Sequence, residues 1–203
     1  SNNIVIAGGA AMNCVFNGLL ENNKIYKNNF VPPWPDDLGV SIGATYLENH
    51  NLGKKSKNDC QVYLGPGYSN ANILSLLKKY NLTFIKPDNI SKYIAERISK
   101  GHLIGWFQDR MEFTHRALGN RSILADPRKI EMQLKVNSAV KYRETFRPFA
   151  PAVLEEHASK IFMINKKTKV PFMEKAVSVK NDWKTKIPAV VHVDGTARVQ
   201  TVS

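Results

Sequence analysis

Short apolar runs alternate with segments of helical period along this chain, and glycine or proline marks many of the junctions. That alternation constrains the fold more than any single residue, because strands interleaved with helices argue for an α/β architecture. Ile4-Val5-Ile6 predicts a short buried strand, Gly8-Gly9 breaks it, and Ala10–Leu20 reads as a helix. Residues 31–37 hold three prolines and stay irregular. Gly39–Leu47 follows as a small-residue helix, and residues 48–60, polar and lysine-rich, read as a linker. The chain restarts with strand-like Gln61–Leu64 and a Gly-Pro-Gly turn. Ser69 then caps a helix whose apolar positions are Ile73, Leu76, Leu77 and Tyr80. Leu82–Ile85 predicts a strand, Ile90–Lys100 a helix closed by Gly101, and His102–Gln108 another strand. Residues 164–187 read as irregular, and Ala189–Val193 with Ala197–Val202 as a final strand pair around Asp194-Gly195. Both ends read as cut, as in part of a longer protein.

The 203 residues allow one large or two small domains. No run approaches the roughly 18 apolar residues that a membrane helix requires. The first residues lack the basic lead and apolar stretch of a signal peptide, which favours the cytoplasm. Cys14 and Cys60 make neither a disulfide framework nor a zinc motif and read as reduced thiols. Lysine and arginine outnumber aspartate and glutamate 29 to 17, a net +12 that fits an anionic partner: nucleotide, phosphate, nucleic acid or anionic lipid.

Four stretches carry chemistry. Gln108–Pro127 places Arg110, Arg116 and Arg121 around Gly119, Asn120 and Ser122. Guanidinium groups hold phosphate oxygens bidentately and stay charged at any working pH. The plain alternative is three solvated arginines, or arginines paired with Glu112 and Asp126. Lys141–Pro151 adds Lys141, Arg143 and Arg147; if extended, the first two share a side, making a second wall of an anion site or a charge-protected edge strand. Val191–Gln200 sets Arg198 after the Asp194-Gly195 turn, with His192 fitting a core position. Ala7–Asn17 offers a Gly-Gly turn opening a helix, whose N–H groups suit a nucleotide. Asp36 and Asp37 could ligate a metal or cap the next helix; with no histidine nearby, capping is favoured.

Taken together, these segments resemble the NodU/CmcH-type O-carbamoyltransferase family. GGAAMNCVFN resembles its GG-x-x-x-N-C element and PDDLGVSIGATY its D-x-G…GAA element. GWFQDRMEFTHRALGNRSILADPR is similar to its longest signature, and KYRETFRPFAPAVLEE and VHVDGTARVQTV complete the set in family order. The resemblance implies a YrdC-like α/β domain over residues 59–203, truncated at its C-terminus, preceded at 1–55 by the C-terminal fragment of an actin-like ATPase (Kae1-like) domain. The YrdC-like part would form carbamoyl-adenylate from carbamoyl phosphate and ATP. The Kae1-like part, with bound Fe2+, would pass the carbamoyl group to an acceptor hydroxyl of a sugar, antibiotic or nodulation-factor type.

By the same resemblance Lys141 and Arg143 match a Lys-x-Arg pair that handles phosphate, and with Arg116 they are the expected catalytic groups. Arg110, Asn120, Arg121, Ser122, Arg147 and Arg198 are expected to bind carbamoyl phosphate and ATP. Gly8, Gly9 and Asn13 sit at the nucleotide site of the Kae1-like part, and Asp37 matches a metal-ligand aspartate. A partner Ser-x-Asn motif and the histidine ligands would lie outside these 203 residues. Three positions depart from the pattern: Asp109 stands where the family usually has Gly, and Thr114-His115 where it has Gly-Pro.

Mechanistically, the cations would offset the repulsion between carbamoyl phosphate and ATP and hold the reacting atoms in line, with Mg2+ accompanying ATP. The rival reading is a YrdC-like RNA-binding module, which the net charge supports. Against it, Trp34, Trp106 and Trp183 are not interleaved with the basic motifs as a stacking platform requires. A third reading is a surface serving only assembly. Oligomeric state is left open.

Overall fold

The computed structural model describes residues 2–55, 60–141, 144 and 149–203, with Lys141 described in its backbone only. The predicted first strand forms as β1, Asn3–Val5, paired in parallel with β2, Asn28–Phe30, but it is not buried, Val5 being 68% exposed. Between them the expected helix over Ala10–Leu20 is divided. A 3-10 turn spans Gly9–Met12, Asn13 turns extended, and α1 runs Cys14–Asn22. The break is at Asn13, whose side chain accepts the Val15 and Phe16 N–H groups, both at 3.1 Å; such a side chain competes with the helix interior and favours a cap.

After the proline turn, α2 spans Leu38–Asn51, longer than read, so the linker is shorter. Ser69 caps α3 (Asn70–Lys79) in a reciprocal capping box with Asn72, and Asn89 caps α4 (Ile90–Ser99). Gly101 closes α4 at φ +83°, a left-handed position where glycine carries no Cβ penalty. Then β3, Ile104–Phe107, pairs antiparallel with β4, Arg121–Leu124.

The rest comprises α5 (Glu131–Val136), a π-helical turn (Asn137–Lys141), β5 (Ala152–Leu154), α6 (Glu155–Ile161), β6 (Val177–Ser178), α7 (Asn181–Lys184), a 3-10 turn (Pro188–Val190), β7 (Thr196–Ala197) and β8 (Gln200–Val202). β5 pairs in parallel with β8, and β6 antiparallel with β7. The main core gathers Phe162, Val170, Val177, Val179, Ile187, Val190, Ala197 and Val199. A smaller cluster of Val62, Leu118 and Met173 lies beneath the β3–β4 connection.

Four expectations change. Leu82–Ile85 joins no sheet, and Leu82, Phe84 and Ile85 are exposed, so an apolar run without a neighbouring ladder stays irregular. Gln61–Leu64 is not a regular strand, although the Val62 carbonyl accepts the Phe113 N–H at 2.7 Å and the Gly65 N–H donates to Met111 O at 2.9 Å. The final hairpin is replaced: the tight turn at His192–Thr196 forms, but the segment before it is a 3-10 turn over Pro188–Val190, and the segment after it pairs with β6 and then β5. Lys141 ends a π-helical turn, so the extended Lys141/Arg143 side does not begin there.

Candidate active site

The connection from β3 to β4 is built around a buried carboxylate. Glu112 is 5% exposed, and its Oε1 accepts the backbone N–H groups of Leu118 at 2.6 Å, Asn120 at 2.9 Å and Arg121 at 3.2 Å. Burial pushes this carboxyl up, but the backbone donors outweigh that and hold it below its ordinary value. Glu112 is thus spent on folding the loop and not on an arginine. Asp126 likewise pairs with Arg128, at 2.6 Å, not with the signature arginines. The loop closes further through Gly119, at φ +109°, whose N–H donates to Ser122 Oγ at 3.1 Å.

Asp109, the first departure from the family pattern, lies at φ +47° with its side chain exposed. A left-handed residue explains why glycine suits the position, and aspartate is among the few other types that tolerate it.

The signature residues separate into three groups. Arg110 is exposed and grips the turn before α3, donating from Nε to Gly65 O at 2.9 Å and from Nη2 to Leu64 O at 2.7 Å. Asn120 donates to Arg110 O at 2.8 Å and, with Ser122, serves the loop's own hydrogen bonds. Arg121 starts β4 with an exposed side chain. Arg116 alone turns inward.

Arg116 is 5% exposed, donating from Nη2 to Met12 O at 3.0 Å and from Nη1 to Phe172 O at 3.3 Å. Its Nε is buried without a hydrogen-bond partner among the described residues. Burial lowers the affinity of this guanidinium for its proton, and the neighbouring Arg198 charge adds to that. Cys14, Glu174 and Asp36 act on Arg116 in the opposite direction. Glu174 is itself pushed up by burial, so it is a poor neutraliser. Two cations brought together, one with an unused buried donor, make an arrangement that an anion completes.

The N-terminal segment forms the other side. The Gly8 N–H donates to Pro35 O at 2.5 Å, which sets the glycine turn against the proline turn. Asn17 donates to Ala11 O at 2.8 Å and to Glu174 O at 2.7 Å, fastening α1 to the 172–176 loop. Gly18 packs so closely on that loop that a Cβ there would overlap Ala176 O. Arg116 thus meets this segment at the Met12 carbonyl, next to Asn13, whose side chain is occupied as a cap.

At Asp37, the favoured capping role is not seen: it precedes α2 but makes no side-chain capping hydrogen bond. Among the described residues no group of three or more His, Cys, Asp or Glu side chains is arranged to hold a metal ion. Asp37 by itself supplies one carboxylate, so these residues do not make an iron site. The side chain of Lys141, together with Arg143 and Arg147, lies outside the described residues. His192 is half-buried with Nδ1 3.0 Å from Thr196 Oγ1, and Asp194 Oδ1 accepts the Thr196 N–H at 2.9 Å, which fits its expected structural role. Glu174 was not read as a site-builder, Glu112 was read only as an arginine partner, and Asp36 only as a metal ligand or helix cap. Only Asp36, beside the proline turn, carried a visible signal.

The family assignment rests on matches along the chain. The Carbamoyltransferase C-terminus family matches residues 95–203, and the Carbamoyltransferase N-terminus family matches residues 1–46. The chain belongs to the carbamoyltransferase family. It is 41% identical over 206 residues to nodulation protein NolO of Bradyrhizobium diazoefficiens, covering 98% of this chain and 38% of that protein. It is 40% identical over 204 residues to nodulation protein NolNO of Sinorhizobium fredii, covering 98% and 30%. To nodulation protein U of Rhizobium fredii it is 36% identical over 201 residues, covering 99% and 33%. The chain thus spans about a third of the length of these carbamoyltransferase relatives. No helix among the described residues is long and apolar enough to cross a membrane.

Proposed function

We propose that this chain supplies the anion-binding centre of an ATP-dependent O-carbamoyltransferase. The observation that carries this reading is Arg116, buried, with an Nε that no group among the described residues meets and with the Arg198 charge acting on it. Carbamoyl phosphate and ATP are both polyanions, and activating one with the other requires fixed positive charge where their phosphates meet. Arg116 and Arg198 hold phosphate oxygens, and Lys141, Arg143 and Arg147 add cations from the following segment. Water first splits carbamoyl phosphate into carbamate and phosphate. The carbamate oxygen then attacks the α-phosphate of ATP and displaces pyrophosphate, and the acceptor hydroxyl attacks the carbamoyl carbon of the resulting carbamoyl-adenylate as AMP leaves. Gly8, Gly9 and Asn13 receive nucleotide in the transfer half. In this reading residues 59–203 form the YrdC-like part and 1–55 the tail of the Kae1-like part. The role of the chain's residues is to bind, neutralise and align; the nucleophiles belong to the substrates.

Calorimetric titration of the chain with pyrophosphate and with carbamoyl phosphate tests the centre directly. Binding by the unaltered chain, lost in Arg116→Ala, is expected. In the complete protein, Arg116→Ala and Arg143→Ala should each lower carbamoyl-phosphate-dependent ATP turnover by roughly a hundredfold or more, the scale of losing one catalytic donor. Salt-dependent RNA binding without pyrophosphate binding would overturn this reading in favour of the nucleic-acid one.

A further inference from the structure

Thr114 and His115 depart from the family pattern, and the structure gives both a task. Three consecutive side chains of the signature loop grip the N-terminal segment. Thr114 Oγ1 donates to Pro33 O at 3.0 Å, His115 Nε2 meets Asp36 Oδ2 at 2.5 Å, and Arg116 Nη2 donates to Met12 O at 3.0 Å. The carboxylate only accepts, so the imidazole nitrogen facing it carries the proton.

The arrangement leaves one pairing unmade. Among the described residues, Asp36 Oδ1 is buried without a hydrogen-bond partner, and so is Arg116 Nε. Asp36 is held by His115, the chain neighbour of Arg116, so the two groups share one region of the loop. A half-buried carboxylate with one buried, unpaired oxygen and a buried guanidinium with one unpaired nitrogen would ordinarily close on each other. What holds them apart is visible: His115 draws the Asp36 carboxylate to its own side, and Thr114 pins the turn that carries Asp36.

We infer that His115 is a positioning residue that keeps Asp36 off Arg116, so that the guanidinium stays open to an incoming phosphate-bearing anion. Asp36 is the built-in competitor, and His115 is its restraint. Without the restraint Asp36 occupies the free donor of Arg116, and an external anion must displace it. The apparent affinity then falls by the fraction of molecules in which the site is open. This inference rests on the proposed anion site at Arg116 and adds how access to that site is set.

The test uses pyrophosphate as the probe, titrated calorimetrically into the 203-residue chain and its variants, with thermal unfolding measured in parallel. His115→Phe keeps a ring but removes the donor, and should weaken pyrophosphate binding about tenfold if the closed form reaches roughly nine molecules in ten. His115→Gln, which retains an N–H donor, should bind within about twofold of the unaltered chain, the small loss that goes with a restraint largely kept. The decisive variant is the double substitution Asp36→Asn with His115→Phe. Asparagine carries no charge to compete for Arg116, so affinity should return. A merely structural role for His115 predicts the opposite, since removing Asp36 restores no packing. Unchanged affinity in His115→Phe, or no recovery in the double variant, overturns the restraint and leaves the anion site standing. No pyrophosphate binding by the unaltered chain overturns the anion site itself and the restraint with it.

Discussion

Glu112 shows how much one carboxylate can organise. It accepts three backbone N–H groups that no other group satisfies, so Glu112→Ala strands buried donors at a cost of about 3 kcal/mol. Chemical denaturation should register that loss, with Arg116-dependent anion binding falling alongside. Because the folded-state carboxyl titrates below its ordinary value, its stabilisation is present above the unfolded value of 4.5 and disappears as acid titrates the folded group. Glu174 has the opposite sign. Burial raises it, so its ionisation opposes folding above 4.5 and increasingly so through its folded value. Glu174→Gln should therefore raise the unfolding temperature at neutral pH relative to the unaltered chain, with the difference vanishing below about pH 4. Equal gains at both pH values would refute the assignment. Neither role was legible beforehand. A glutamate among arginines reads as an ion-pair partner, and only the closed loop brings Leu118, Asn120 and Arg121 N–H groups onto it.

At the scale of elements, local signals succeeded where the element is locally determined. α3 and α4 follow their caps and their period closely, because Ser69 and Asn89 satisfy the first N–H groups whatever lies elsewhere. Strands were less legible. The Leu82–Ile85 run has suitable residues but no adjacent ladder, and the 189–202 segment divides its pairing between β5 and β6, partners remote in sequence. The signature region was recognisable, yet which arginine turns inward was not. Arg110, Arg116 and Arg121 look alike in sequence, and burial by Met12 and Phe172 distinguishes Arg116. The same contrast predicts mutational sensitivity. Leu76 on α3 is 49% exposed, so Leu76→Lys should change stability by no more than about 0.5 kcal/mol. Phe162, 1% exposed in the main core, should cost about 3–5 kcal/mol when replaced by alanine. Urea unfolding of the two variants side by side checks both.

Across the whole molecule, the N-terminal segment is bound to later residues by a few close contacts. Gly18 is the most exacting of them. Gly18→Ala must push α1 away from Ala176 O, and should loosen the Asn17–Glu174 and Lys175–Glu21 contacts together. Hydrogen exchange should show faster opening of α1 while α3 and α4 stay unchanged; undisturbed exchange in α1 would contradict the close approach. The same contacts set a schedule for biosynthesis. Asn17 waits for a carbonyl 157 positions further along the chain. At ribosomal speeds of roughly 5–20 residues per second, that interval lasts roughly 8–30 s. Throughout it α1 has its own cap but lacks the 172–176 loop it packs on, and Arg116 emerges well before the Phe172 carbonyl that helps bury it. The contact between α1 and the 172–176 loop therefore forms only once the last fifth of these residues is being made.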